Sequence, residues 1–145
     1  MDAQATAEQV RAAMFADDAA SRMLGLQIPE ISPGRAVATM TVRADMLNGF
    51  AICHGGLIAT LADSAFAFAC NSRNVLTVAS GFGIDIVKSA KLGDVLTATA
   101  SETSLAGRTG LYDITVTNQR GELVAMFRGR SHRLGDRKVF EEGSA

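Results

Sequence analysis

Apolar positions recur along this chain in two periods, and the change from one to the other separates helix from strand. Over residues 6–24, Val10, Ala13, Met14 and Leu24 recur among alanines and charges at helix-compatible spacing, and Gly25 ends the run. The spacing predicts a surface helix. After the turn signal Ser32-Pro33-Gly34 the period shortens. From Arg35 to Val42, Ala36, Ala38, Met40 and Val42 oppose Arg35, Val37, Thr39 and Thr41, as in a strand. From Gly55 to about Cys70, Leu, Ala, Ile and Phe fill nearly every position, which predicts a helix buried on nearly all sides. Beyond Asn74 the pattern returns to strands at 75–87, 94–105, 109–118 and 122–134, separated by turns at Leu92-Gly93, Ala106-Gly107 and Arg120-Gly121.

Short turns between consecutive strands favour antiparallel pairing. The economical arrangement is an α+β fold, a curved five-stranded antiparallel sheet wrapped around the apolar helix, with an extra helix at the N-terminus. The 145 residues fit one domain, 1–145, in which 1–24 forms the N-terminal helix and 137–145 is expected to fray. Fourteen Lys and Arg against fifteen Asp and Glu leave a formal charge of -1, so nothing draws the whole molecule to nucleic acid or to an anionic membrane. An anionic ligand must be held locally. Between Met46 and Ser72 the only charge is Asp63, but Asn48, Gly49, His54, Gly55, Gly56 and Asn71 interrupt the run, and its apolar part is too short for a bilayer. Met1 to Thr6 has no basic or apolar leader character. Cys53 and Cys70 lack CxxC spacing and read as reduced, buried thiols, so the expected location is cytoplasmic.

Two features carry chemistry. Asp63 is a carboxylate inside the apolar helix; a charge there must face solvent, be paired, or line a site that uses its altered ionisation. The second is Asn48, five residues, then His54-Gly55-Gly56 at the helix start. Gly55 presents a bare backbone N–H where unsatisfied donors and the helix dipole favour developing negative charge. Each feature alone also has a bland reading: a hydrogen-bonded or part-exposed Asp, and a tight loop-to-helix turn capped by His54. Together they raise a geometric problem. Eight residues separate Gly55 from Asp63, roughly 12 Å along a helix axis. If both act on one bond, they must come from two chains across a symmetric interface, which also covers sheet edges.

Asn48-x5-His54-Gly55-Gly56-x6-Asp63, the run Ser64 to Ser72, Gly110 to Ile114 and Phe127 to Arg133 closely resemble the hotdog-fold thioesterases of phenylacetic acid degradation, the PaaI family. The resemblance covers nearly all the chain after the first helix. It implies a homotetramer of two hotdog dimers that hydrolyses phenylacetyl-CoA or hydroxyphenylacetyl-CoA to the free acid and CoA, with no metal and no organic cofactor. Other aromatic or medium-chain acyl-CoAs, or acyl-CoA binding without turnover, are the alternatives. By the same resemblance Asp63 is general base or nucleophile, the partner's Gly55 amide polarises the thioester carbonyl, and Asn48 and His54 stand beside the reacting group. Substrate contacts fall to Gly56, Ser80, Gly81, Arg108 and Thr109. Lys88 and Lys91 are expected to add charge near the Gly107-Arg108-Thr109 loop. The family often carries a Ser or Thr where Ala79 stands, and Thr77 or Ser80 are the neighbours able to substitute. Arg128, Arg130 and His132 share one face of the last strand, with Arg133 on the other and His132 in a structural role.

Overall fold

The computed structural model describes residues 1–141. Helix α1 (Ala3–Asp17) and the short α2 (Ala19–Met23) precede strands β1 (Gln27–Ser32) and β2 (Arg35–Thr41). A single 3-10 turn, Ala44–Met46, leads through a loop to α3 (Gly55–Asn71), and β3 (Thr77–Ile86), β4 (Val95–Ala106), β5 (Thr109–Thr117) and β6 (Leu123–Arg133) complete the chain. The strands form one sheet in the order β1-β2-β4-β5-β6-β3, antiparallel throughout. Its concave face wraps α3, whose Ile58, Leu61, Ala65, Phe66 and Phe68 are buried among the inward side chains of the strands. Phe66 lies so close to β6 that a Cβ on Gly129 would stand 2.7 Å from its ring, so the strand stays bare where the helix presses on it.

Four expectations need correction. The sheet has six strands, not five: Gln27–Ser32 contains Pro29 and a bulge, which hide its pattern, yet Ile28 and Ile31 turn into the core. Proline is tolerated there because β1 is an edge strand. The N-terminal helix is two helices, because Asp18 leaves helical geometry (φ -86°, ψ 81°) and caps α2, its carboxylate accepting from Ser21 N at 3.0 Å. The tail is not frayed as far as Phe140. Leu76 N donates to Arg137 O at 2.9 Å, and Asn74 Oδ1 accepts from Val139 N and Phe140 N, both at 3.0 Å. The remainder of that call, 142–145, lies outside the described residues. Finally, Cys70 is only partly buried, whereas Cys53 is buried; both are free. No helix among the described residues is long and apolar enough to cross a membrane.

The two sheet edges differ. On β1, α1 covers the edge: Arg11 donates to Ile28 O at 3.0 Å and Gln4 to Ile31 O at 2.8 Å. On β3, one side pairs with β6 and the other has no partner among the described residues, while Val78, Phe82 and Ile86 are 43%, 51% and 44% exposed. A strand edge without a partner and flanked by exposed apolar side chains is a template for pairing with another chain.

Candidate active site

The loop before α3 is built to hold its residues still. Asn48 N donates to Ile52 O at 2.8 Å and Ala51 N to Asn48 O at 3.0 Å, with Ala51 in the left-handed region (φ 60°). Asn48 Oδ1 accepts from Phe50 N at 2.9 Å and Ile52 N at 3.4 Å. The carbonyl half of this side chain organises the loop, and its NH2 has no partner among the described residues, so it remains a donor. His54 N donates to Met46 O at 2.8 Å, which seats His54 as the N-cap of α3.

The cap divides the first donors of the helix unevenly. His54 Nδ1 accepts from Gly56 N at 3.2 Å, and its carbonyl accepts from Leu57 N at 2.9 Å and Ile58 N at 3.4 Å. Gly55 N–H therefore has no acceptor among the described residues. A ring nitrogen that accepts carries no proton, so the imidazole N–H sits on Nε2. Asn48 and Gly55 share a cleft of about 260 Å³ at the end of β3, closed by Ile86 and bordered by Lys88. Gly56 is spent on the cap.

Asp63 opens into a different space. About two turns further along α3, it lines an apolar cavity of about 330 Å³ with Phe66, Cys70, Thr77, Ala79, Met14 and Val139. The carboxylate has no hydrogen-bond or ion-pair partner among the described residues. Burial raises its pKa above the ordinary carboxylate value, and the negative charge of Asp18 pushes the same way. Asp18 is itself fixed: its Oδ2 accepts from Ser21 Oγ at 2.7 Å, and Ser21 Oγ lies 2.9 Å from Ser64 Oγ, next to Asp63 in sequence. The Cys70 thiol is pushed up to about 12 by burial, which removes it as a competing nucleophile.

The two possible stand-ins for the hydroxyl missing at Ala79 part company. Thr77 lines the Asp63 cavity; its backbone is clamped by Asn71, and its Oγ1 donates to Val75 O at 2.7 Å, leaving lone pairs free. Ser80 sits at a β-bulge between Ala79 and Gly81, is exposed, and donates to Arg130 O at 3.2 Å. A Cβ on Gly81 would meet the Arg130 guanidinium at 2.6 Å. The bulge thus leaves Ser80 bonded to the β6 backbone, and neither Ser80 nor Gly81 lines the Asp63 cavity.

Arg108 follows Gly107 (φ 60°) in the β4–β5 turn and lines a third cleft, about 420 Å³, whose charged residues are Arg108, Arg133, Arg137 and Lys138 against the single carboxylate Asp136. None of these four cations has an ion-pair partner among the described residues. Thr109 is exposed at the start of β5 and does not line this cleft. Lys88 and Lys91 stand elsewhere: Lys88 pairs with Glu122 at 3.2 Å, and both border a hollow with Arg120. On the outer face of β6, Arg128 binds Asp113 through two hydrogen bonds of 2.7 and 3.0 Å, and His132 is exposed beside that face. In one chain, then, Asn48, His54 and Gly55 gather at the start of α3, and Asp63 lies apart from them.

The family model of the thioesterase superfamily matches residues 50–125, just over half of the chain, so the chain belongs to that superfamily and is a thioester hydrolase. It is 50% identical over 123 residues to acyl-coenzyme A thioesterase PaaI of Escherichia coli K12, covering 85% of this chain and 88% of that one. The solved structure of the E. coli PaaI protein from the phenylacetic acid degradation operon superposes with a TM-score of 0.92 at 46% identity, over 94% of this chain and 99% of that one. These matches place the chain in the hotdog-fold PaaI branch. A Streptococcus mutans protein solved with acetyl CoA bound is similar at 30% identity and TM-score 0.75, over 78% of this chain and 91% of that one.

Proposed function

We propose that this protein hydrolyses acyl-CoA thioesters, with phenylacetyl- and hydroxyphenylacetyl-CoA as the preferred substrates, in a site completed only by a second copy of the chain. The observation that carries this is the separation on α3 of an unpartnered carboxylate from an unbonded helix N-terminal N–H, each facing its own cleft. Pairing of two chains along the open edge of β3 supplies each Asp63 with the partner's Gly55. The dimer is taken as the half of a homotetramer, and the free thiols accord with a cytoplasmic location.

The chemistry follows from charge. The thioester carbonyl oxygen lies against the Gly55 N–H at the positive end of a helix dipole, where negative charge developing on that oxygen is stabilised. Asp63 supplies the other half of the reaction, as general base on water or as nucleophile at the carbonyl carbon. Its raised proton affinity suits a proton acceptor. Thiolate is a good leaving group, so one carboxylate and a preorganised donor suffice without a Ser-His-Asp triad. Asn48 offers its NH2 beside Gly55, and Thr77 offers lone pairs to a water near Asp63. The apolar lining receives the acyl group, and Arg108 with Arg133, Arg137 and Lys138 provides the local positive charge that CoA phosphates need in a chain of net charge -1.

Thiol release measured over phenylacetyl-, hydroxyphenylacetyl-, benzoyl- and medium-chain acyl-CoAs tests this directly. The arylacetyl thioesters are expected to give the highest kcat/KM. Equal or faster turnover of aliphatic thioesters removes the arylacetyl assignment, and no release from any of them removes the thioesterase reading. The pH profile provides a second check. Activity requires ionised Asp63, so the acid limb of kcat/KM should lie above the ordinary carboxylate value, and Asp18→Asn, which keeps a capping side chain, should move that limb to lower pH. An unmoved limb shows that Asp63 does not control it.

A further inference from the structure

We infer that the C-terminal strap, residues 135–140, is the wall that sets how large an acyl group the enzyme accepts, with Val139 as the specificity-determining residue. This rests on the thioesterase reading of the Asp63 cavity and goes beyond it. Most of that cavity is made by α3 and by the start of β3, elements the fold requires in any case. Val139 is different: it comes from a segment that belongs to neither the sheet nor the helices, and it reaches the cavity only because the strap is held against the Asn74–Leu76 junction.

The hold is specific. Asn74 is buried and adopts the left-handed conformation (φ 63°), which Asn tolerates better than most residues. Its side chain acts as a three-point clamp: Oδ1 accepts from Val139 N and Phe140 N, and Nδ2 donates to Phe140 O, each at 3.0 Å. Two backbone bonds, Leu76 N to Arg137 O and Leu134 N to Leu76 O, both 2.9 Å, continue the attachment. Leu76 and Thr77 themselves line the cavity, so the clamp ties Val139 to the same stretch of chain that faces Asp63. A β-branched side chain on a clamped backbone has little freedom to move aside. The cavity of about 330 Å³ has room for an aromatic ring, since an apolar space of roughly 150 Å³ takes benzene, and Val139 of the strap forms part of its wall.

The experiment measures kcat/KM for acetyl-, phenylacetyl- and naphthylacetyl-CoA with the wild type, Val139→Phe and Val139→Ala. A filled or emptied apolar pocket discriminates by roughly 10–200-fold per methylene-sized change. Val139→Phe should therefore lower turnover of phenylacetyl-CoA at least about tenfold and leave acetyl-CoA within about twofold. Val139→Ala should raise the ratio of naphthylacetyl- to phenylacetyl-CoA severalfold. Asn74→Gly keeps the left-handed backbone and removes the clamp; it should weaken discrimination between the two aryl thioesters. If all three thioesters change in parallel in the Val139 variants, or none changes, the strap has no part in selection while the thioesterase reading stands. A wild type that releases no thiol from any of them overturns that reading, and the strap assignment with it.

Discussion

Asp63→Asn should abolish hydrolysis and, at neutral pH, raise the melting temperature of the folded protein. The first half follows from the role of the carboxylate: an amide is neither a base nor a nucleophile at this pH, and loss of such a group lowers kcat by roughly a hundred- to ten-thousand-fold. The second half follows from linkage. Burial, reinforced by the Asp18 charge, raises the folded-state pKa above the unfolded one. Between those two values the native chain binds more protons than the unfolded chain, so stability falls as pH rises through that window. Above it the full cost of holding an unpartnered carboxylate in the cavity is present, and below the unfolded value it is absent. The variant should therefore melt higher than the wild type near pH 7, and the two should converge in acid. A variant that loses activity but melts lower than the wild type at neutral pH shows that Asp63 is paired in the working assembly, contrary to the geometry described here. Gain of stability on losing a functional group is the usual mark of a residue kept for chemistry.

How much of this was legible beforehand depends on how far apart in sequence the cooperating groups lie. Asp63 and Gly55 could be found because each breaks a local rule: a charge in an apolar run, and two glycines opening a helix. The α3 core and the four C-terminal strands followed from unbroken periods. By contrast β1 was hidden by Pro29, whose lost N–H is harmless only on an edge strand. The bulge at Ser80 is hidden in the same way, because strict alternation takes no account of one extra residue, which turns the side chains that follow. The strap escaped for a different reason. Asn74 and Val139 are 65 positions apart, and nothing in the composition of 135–141 marks it as bound; its anchoring depends on one left-handed Asn and on backbone bonds at Leu76. The same strap brings Arg137 and Lys138 to Arg108 and Arg133, so a basic cleft arises from cations that form no run in sequence. Local anomalies thus mark the candidate catalytic groups, and long-range closure decides which residues surround them.

The two-chain site makes the sharpest prediction: two inactive variants should restore each other. Gly55→Pro removes the one N–H assigned to the carbonyl oxygen, and loss of such a donor costs roughly a hundred- to a thousandfold in kcat. The substitution is compatible with the fold. Gly55 is the first residue of α3, where proline is well tolerated, and His54 before it already has ψ 129°, inside the range a following proline demands. The nearest atom to a new Cβ is the tip of Ile86 at 3.0 Å, the end of a side chain able to shift. Now let Gly55→Pro and Asp63→Asn chains be co-expressed or unfolded and refolded together. In a mixed dimer one site pairs the intact Asp63 of the first chain with the intact Gly55 of the second, and the other site carries both lesions. Random assortment makes about half the dimers mixed, each with one working site of two, so activity should return to about a quarter of the wild-type value. Were Asp63 and Gly55 of the same chain to meet over one thioester, every site in the mixture would still carry a lesion and no activity would return. Recovery near a quarter, against none, reads the assignment of the catalytic groups to chains in a single assay.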